Sequence, residues 1–159
     1  MLAFKKILVP VDFGPSSEEA LHVAIDLAKK LGSELTIVHV WEVPAYAYSG
    51  MEFSTIDLLN PARELAQKEL DAKLETLRKE GTVAQGVLRC GRPWYELAAA
   101  IEELAPDLVV MGTHGRHGLA RALLGSVAEK TVRHSTSPVL TVPSKEERAT
   151  KAASPSAVV

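Results

Sequence analysis

Val109-Val110-Met111-Gly112-Thr113-His114-Gly115, followed nine residues on by Gly125-Ser126-Val127, is the stretch of this chain whose reading decides the architecture. Residues 107–111 read as a short strand buried on both faces, the kind that occupies a parallel sheet. The connection over 112–125 is glycine-rich, and residues 126–134 read as a helix. In a parallel sheet, ligands sit beyond the carboxyl ends of the strands, near the point where strand order switches. Gly112 and Gly115 are expected to let the backbone approach a ligand and to adopt positive φ. Gly125 and Ser126 open the helix, whose first N–H groups lack intrahelical partners and carry the positive end of the dipole. The same loop holds Arg116 and Arg121. Two phosphate-binding devices in one connection point to a polyphosphate. A plainer reading stays open. Glycine-rich turns are common, Ser126 with Glu129 makes an ordinary capping box, and the two arginines either attract phosphate or merely solvate the loop.

The rest of the chain fits around this segment. Ile7-Leu8-Val9-Pro10-Val11 is an apolar run ending at Asp12. It reads as a buried strand and not as a secretory signal, because it is short and stops at Pro10 and Asp12. Ser16 and Glu19 form a capping-box pattern, and Ala20, Leu21, Ala24, Leu27, Ala28 and Leu31 follow as one helical face that Gly32 ends. Residues 34–40 read as a second strand. Asn60-Pro61 looks like a cap and first helical residue, with Leu65, Ala66, Leu70, Leu74 and Leu77 inward and Gly81 as the stop. A third strand covers 83–90. After Gly91 and Pro93 comes a helix with Trp94, Leu97, Ala98, Ile101 and Leu104 on one face. Residues 138–142 make a fifth strand. Strands alternating with helices imply an α/β fold, a parallel sheet with right-handed crossovers. From residue 145 the apolar pattern is lost, so 1–144 is expected to be the domain and 145–159 a disordered tail.

Composition narrows the classes. The chain has 159 residues, 47% hydrophobic, with a net charge of −2, enough for one sizeable core and without the basic field that nucleic acid attracts. No apolar run is long enough to suggest a membrane span. One cysteine, Cys90, allows no intrachain disulfide, suits a reducing compartment, and reads as a small buried hydrophobe.

The spacing Gly112-x2-Gly115-x9-Gly125-Ser126 resembles the nucleotide-binding signature of ATP-binding universal stress proteins. The opening Lys5–Asp12 resembles that family's first strand, the closing Ser137–Pro143 its last, and Gly91-x-Pro93 is also similar; together the likeness spans about residues 4–143. The resemblance implies an open five-stranded parallel sheet with helices on both faces, Rossmann-like, of the adenine nucleotide alpha hydrolase-like type, in strand order 3-2-1-4-5. It implies ATP as ligand, with Mg or Mn bound through the phosphates. By position, Asp12 would meet the ribose or the adenine edge, and the backbone of Val40 would pair with adenine. Gly112, Gly115, Gly125, Ser126 and Val127 would cradle the phosphates, with Arg116 beside them, while Met111 would line the cleft beside Pro10 and Val11. It also implies a homodimer through the last strand and a cytoplasmic sensor or switch in stress response, with slow hydrolysis at most and no assigned catalytic residue.

Other classes fit less well. A phosphoacceptor receiver domain needs an acidic cluster after the first strand and an Asp after the third, where this chain has Asp12 alone and Leu88-Arg89-Cys90-Gly91. A pyrophosphatase-loop enzyme would carry its glycine-rich loop after the first strand, where this chain has Phe13-Gly14-Pro15-Ser16-Ser17. The Walker A pattern is absent. His114 and His117 lack a neighbouring Cys or acid for zinc; His114 could donate to a phosphate or simply be solvated. A nucleotide-free relative acting only through protein contacts is the remaining alternative. Trp41, Tyr46, Tyr48 and Phe53 cluster in a segment without clear period and form a lid, a partner surface or local packing, of which packing is the plainest reading.

Overall fold

The computed structural model describes residues 4–43, 55–115 and 124–153. Five strands, β1 (Lys6–Val11), β2 (Glu34–Trp41), β3 (Ala84–Cys90), β4 (Leu108–Gly112) and β5 (Val139–Val142), form one sheet in the order β3-β2-β1-β4-β5. Every pairing is parallel. The expected strand order is therefore the observed one. The chain leaves β1 in one direction to reach β2 and β3, then returns past β1 to β4 and β5. That reversal makes the gap between β1 and β4 the switch point of the sheet.

Helices cover both faces. Helix α1 (Pro15–Leu31) and α2 (Thr55–Lys79) lie on one side; α3 (Pro93–Leu104) and α4 (Ser126–His134) lie on the other. Side chains alternate along each strand, so β1 sends Ile7, Val9 and Val11 towards α1 and α2, and Leu8 towards α3. Both layers are dry: Val9, Ile37, Val38, Val109 and Val110 have no exposed surface. Each such side chain contributes roughly 1.5–3 kcal/mol by leaving water. Gly32 ends α1 with φ 68°, the left-handed stop its position predicts, and its N–H bonds the Ala28 carbonyl.

The expected helix boundaries need correction. Helix α1 starts at Pro15 with Gly14 as N-cap, and no Ser16–Glu19 capping box forms. Ser16 and Ser17 are buried instead, drawn inward by contacts described below. Helix α2 begins at Thr55, which leaves Pro61 inside the helix rather than at its first position. Leu31 and Leu65, expected in apolar faces, are 52% and 60% exposed, since each sits just outside the arc that meets the sheet. Cys90 is exposed because it ends the edge strand β3. Partial desolvation and the nearby Glu96 push its thiol above the ordinary value, against the pull of Arg63, so it is a poor nucleophile.

The largest correction concerns the tail. Residues expected to be disordered form a fifth helix, α5 (Lys145–Ala153). Its start is a true capping box: the Ser144 hydroxyl accepts from the Glu147 N–H at 3.2 Å, and the Glu147 carboxylate accepts from the Ser144 N–H. Lys145 and Arg148 reach back to Glu19 on α1, at 3.3 and 2.8 Å. Residues 154–159 lie outside the described residues.

Candidate functional site

The carboxyl ends of β1 and β4 bring together Asp12, the turn Gly112–Gly115, and the start of α4. Asp12 follows β1 in a tight turn. Its Oδ1 accepts from the Gly14 N–H at 2.9 Å and from the Ser17 hydroxyl at 2.8 Å. One carboxylate oxygen thus caps the turn that follows β1. The other, Oδ2, faces the loop: it lies 3.4 Å from where a Cβ on Gly115 would stand. The next residue, Phe13, is held at φ 60°, a left-handed conformation rare for an aromatic residue. It packs on His39 with ring centroids 4.6 Å apart. His39 is buried and its Nδ1 donates to the Val11 carbonyl at 2.8 Å. This support for the Asp12 turn was not found from the sequence. The only signal was a histidine among the apolar residues of β2.

The three glycines of the motif differ. None of Gly112, Gly115 and Gly125 has a positive φ, which corrects the expectation for the first two. Gly112 is required for packing: a Cβ there would stand 2.7 Å from the backbone of Ser16 and 2.8 Å from its Oγ. The amino end of α1 thus rests directly on β4. Gly125 faces the loop's own backbone, with a Cβ meeting His114 Cα and the Thr113 carbonyl at 3.3 Å. At Gly115, among the described residues, a Cβ would meet only the Asp12 carboxylate within 4 Å.

The loop is tied at several points. The Thr113 N–H donates to the Val142 carbonyl at 3.2 Å, and the Gly125 N–H to the Thr113 carbonyl at 2.7 Å. That second bond brings the amino end of α4 against Thr113 and His114. Helix α4 has Gly125 as N-cap and no side-chain cap, so the Ser126–Glu129 capping box does not form. Glu129 pairs with Arg133 instead. Ser126 is exposed at the first helical position, where backbone N–H groups lack helical acceptors.

The remaining predicted residues divide by face. Met111 is buried among the residues packed under α3 and α4, with Val40 and Val127 partly buried against the same cluster. Pro10, two residues after Leu8, points to that side as well, and is partly exposed. Val11 is buried in the opposite layer, so it can offer only backbone to this side. Arg116, Arg121 and His117 lie outside the described residues, as do Tyr46, Tyr48 and Phe53. Trp41 ends β2 half-buried.

Glu147 enters the site unannounced. Its carboxylate accepts from the Thr113 hydroxyl at 2.8 and 2.9 Å and is bonded to His114 Nδ1. Burial pushes its pKa up, but hydrogen bonds from Ser144 and Thr113 and the adjacent His114 outweigh that and hold it below the usual glutamate value. The pattern Ser144-x-x-Glu147 was the available signal; the polar composition after it hid it. Among the described residues, no group of three or more His, Cys, Asp or Glu side chains could hold a metal. Nor is any described helix long and apolar enough to cross a membrane. A cavity of about 100 Å³ between Lys6, Glu34, Gln85 and Pro106 opens at the amino ends of the strands. It is far below the roughly 300 Å³ at which ligand pockets begin, and it lies at the wrong end of a parallel sheet.

Comparison with known proteins agrees with this geometry. The model of the "Universal stress protein family" matches residues 3–143. The universal stress protein MJ0531 of Methanocaldococcus jannaschii is 34% identical over 145 residues, covering 90% of this chain and 85% of that protein. The solved structure of MJ0577, from the same organism, superposes with a TM-score of 0.78 at 31% identity, over 90% of this chain and 98% of the other. A universal stress protein family protein from Arabidopsis thaliana, solved with AMP bound, superposes with a TM-score of 0.65 over 90% of this chain and 94% of its own. At 15% identity that likeness concerns the fold alone.

Proposed function

This chain belongs to the universal stress protein family, and we propose that it binds ATP at the carboxyl ends of β1 and β4 and acts as a nucleotide-dependent switch in stress response. One observation carries the reading. At the switch point of the sheet, the Asp12 carboxylate, the open side of Gly115 and the uncapped amino end of α4 converge. A helix amino end offers N–H donors and positive potential to phosphate. Asp12, at the end of β1, would meet the ribose or the adenine edge. Met111, Val40 and Val127 supply an apolar wall, with the Val40 backbone at the end of β2 available for the adenine edge. The Arabidopsis structure gives an example of this fold holding an adenine nucleotide.

A divalent ion, Mg or Mn, would be held through the phosphates. Hydrolysis would be slow: among the described residues, the candidate bases at the site hold other partners, Asp12 Oδ1 with Gly14 and Ser17 and His114 Nδ1 with Glu147. We place the protein in the cytoplasm, where an exposed lone thiol stays reduced. Its partner in assembly would be a second copy, joined through the edge strand β5.

Titration calorimetry with ATP and magnesium tests the site. Ser126 spends no hydroxyl on capping its helix. Ser126→Ala should therefore weaken ATP about ten- to a hundredfold, the size of one charge-assisted hydrogen bond, with little change in melting temperature. Gly115→Val should abolish binding and leave the fold intact, because its branched methyls would enter the space between Asp12 and the loop. Wild-type protein that is free of nucleotide and binds none at millimolar ATP would refute the reading, in favour of action through protein contacts alone.

A further inference from the structure

Helix α5 reaches the turn after β4 through Glu147, which bonds Thr113 and His114. The loop residue Thr113 is buried, and its hydroxyl lies 3.3 Å from Ser16 Oγ on α1. Ser16 Oγ in turn accepts from the His114 N–H at 3.4 Å. Glu147 completes this group, accepting a hydrogen bond from the Thr113 hydroxyl and bonding His114 Nδ1. Its side chain is only 20% exposed and His114's only 13%. The carboxylate is oriented by the Ser144 N–H, and the helix carrying it is pinned to α1 by the pairs of Lys145 and Arg148 with Glu19. A surface helix held only by exposed ion pairs would gain little from them. Here the ion pairs flank a largely buried carboxylate that reaches the loop itself.

We propose that α5 is a latch on the Gly112–Gly115 turn, with Glu147 as a positioning residue that presets this turn for phosphate; this rests on the nucleotide reading of the same turn. The physical reason is preorganisation. Thr113 and His114 precede Gly115, and the Thr113 carbonyl receives the Gly125 N–H. Fixing these two side chains therefore fixes both the Gly115 turn and the amino end of α4. A loop already ordered loses less conformational entropy when a ligand binds. The end of the chain thereby sets the affinity of a site it does not line, so any partner or modification that pulls α5 away would lower nucleotide affinity.

Full-length wild type, Glu147→Ala and Glu147→Gln are titrated with ATP and magnesium, and adenosine is measured by competition against ATP. Backbone hydrogen exchange is followed at residues 113–115. Glu147→Ala should weaken ATP about tenfold and adenosine less than about twofold, with faster exchange in the loop. Glu147→Gln keeps an acceptor for Thr113 and Ser144 and should stay within about threefold of wild type. Unchanged ATP affinity in Glu147→Ala, or equal losses for ATP and adenosine, overturns the latch while wild-type binding leaves the nucleotide reading standing. Wild type that binds neither ligand overturns both. If Glu147→Ala fails to fold, Thr113→Val carries the comparison: it removes the hydroxyl that Glu147 holds and should weaken ATP more than adenosine with faster exchange in the turn, and unchanged ATP affinity or equal losses for ATP and adenosine overturns the latch.

Discussion

Gly112 and Gly115 stand three positions apart in one motif, and the structure gives them separate jobs. A Cβ on Gly112 would collide with Ser16 backbone at 2.7 Å, a contact neither side can easily relieve. Gly112→Ala should therefore cost about 1–3 kcal/mol of stability, the usual range for overpacking. Urea unfolding of this variant, monitored by circular dichroism, checks the expectation. Among the described residues, a Cβ on Gly115 meets only Asp12 Oδ2, at 3.4 Å, ordinary van der Waals contact. Gly115→Ala should leave the unfolding midpoint within about 0.5 kcal/mol of wild type. An equal loss in both variants would mean that the motif is conformational throughout. Spacing alone could not make this distinction, since it depends on which helix lies against the strand. Asp12 shows the same limit: its place after β1 marks it as a site residue, but only the structure divides its two oxygens between a turn and the loop.

Among the elements, α5 departs furthest from expectation. Its residues lack an apolar period, so sequence composition argues for disorder. What orders them is a capping box and a set of polar contacts with residues far back in the chain, Glu19 and Thr113. Such contacts leave no periodic trace. They do leave a pH signature. Glu147 is held below the ordinary carboxylate value in the folded protein, so it stabilises above that value. The contribution is lost as pH falls through the lowered value and the carboxylate takes up a proton. Hydrogen exchange at residues 147–150 should accelerate on acidification below the ordinary glutamate range, beyond the change intrinsic to exchange itself. In Glu147→Gln that extra step should be missing. Helix α2 is a smaller case of the same kind. Pro61 suggested a start, yet the helix begins at Thr55.

At the scale of the whole molecule, β5 closes the sheet on one side with four residues, and Leu140 is 38% exposed there. Val132 on α4 is 50% exposed. An apolar edge strand with an open ladder invites pairing with another copy. Leu140→Lys should shift the mass seen by light scattering from dimer towards monomer. A wild type that is already monomeric at micromolar concentration would end the dimer proposal. Pairing of β5 would not obstruct the proposed nucleotide site, which lies between β1 and β4, one strand further in.

The amino-acid sequence by itself determined the alternation of strands and helices, the buried runs such as Ile7–Val9 and Val109–Met111, and the stop at Gly32. These depend on local period and on the backbone freedom of single residues, both of which can be read along a chain. The spacing of Gly112, Gly115, Gly125 and Ser126 likewise marked the loop beyond β4. Only the tertiary structure decided that Ser16 packs on Gly112, that Val11 and Met111 face opposite layers, that His39 braces the Asp12 turn, and that Glu147 closes on Thr113 and His114. The hydrogen bonds behind these arrangements join residues from 28 to 97 positions apart, His39 to Val11 at one extreme and Ser16 to Thr113 at the other. Contacts at such separations are set by how the layers stack and where helix ends fall. Neither a local propensity nor a period encodes that.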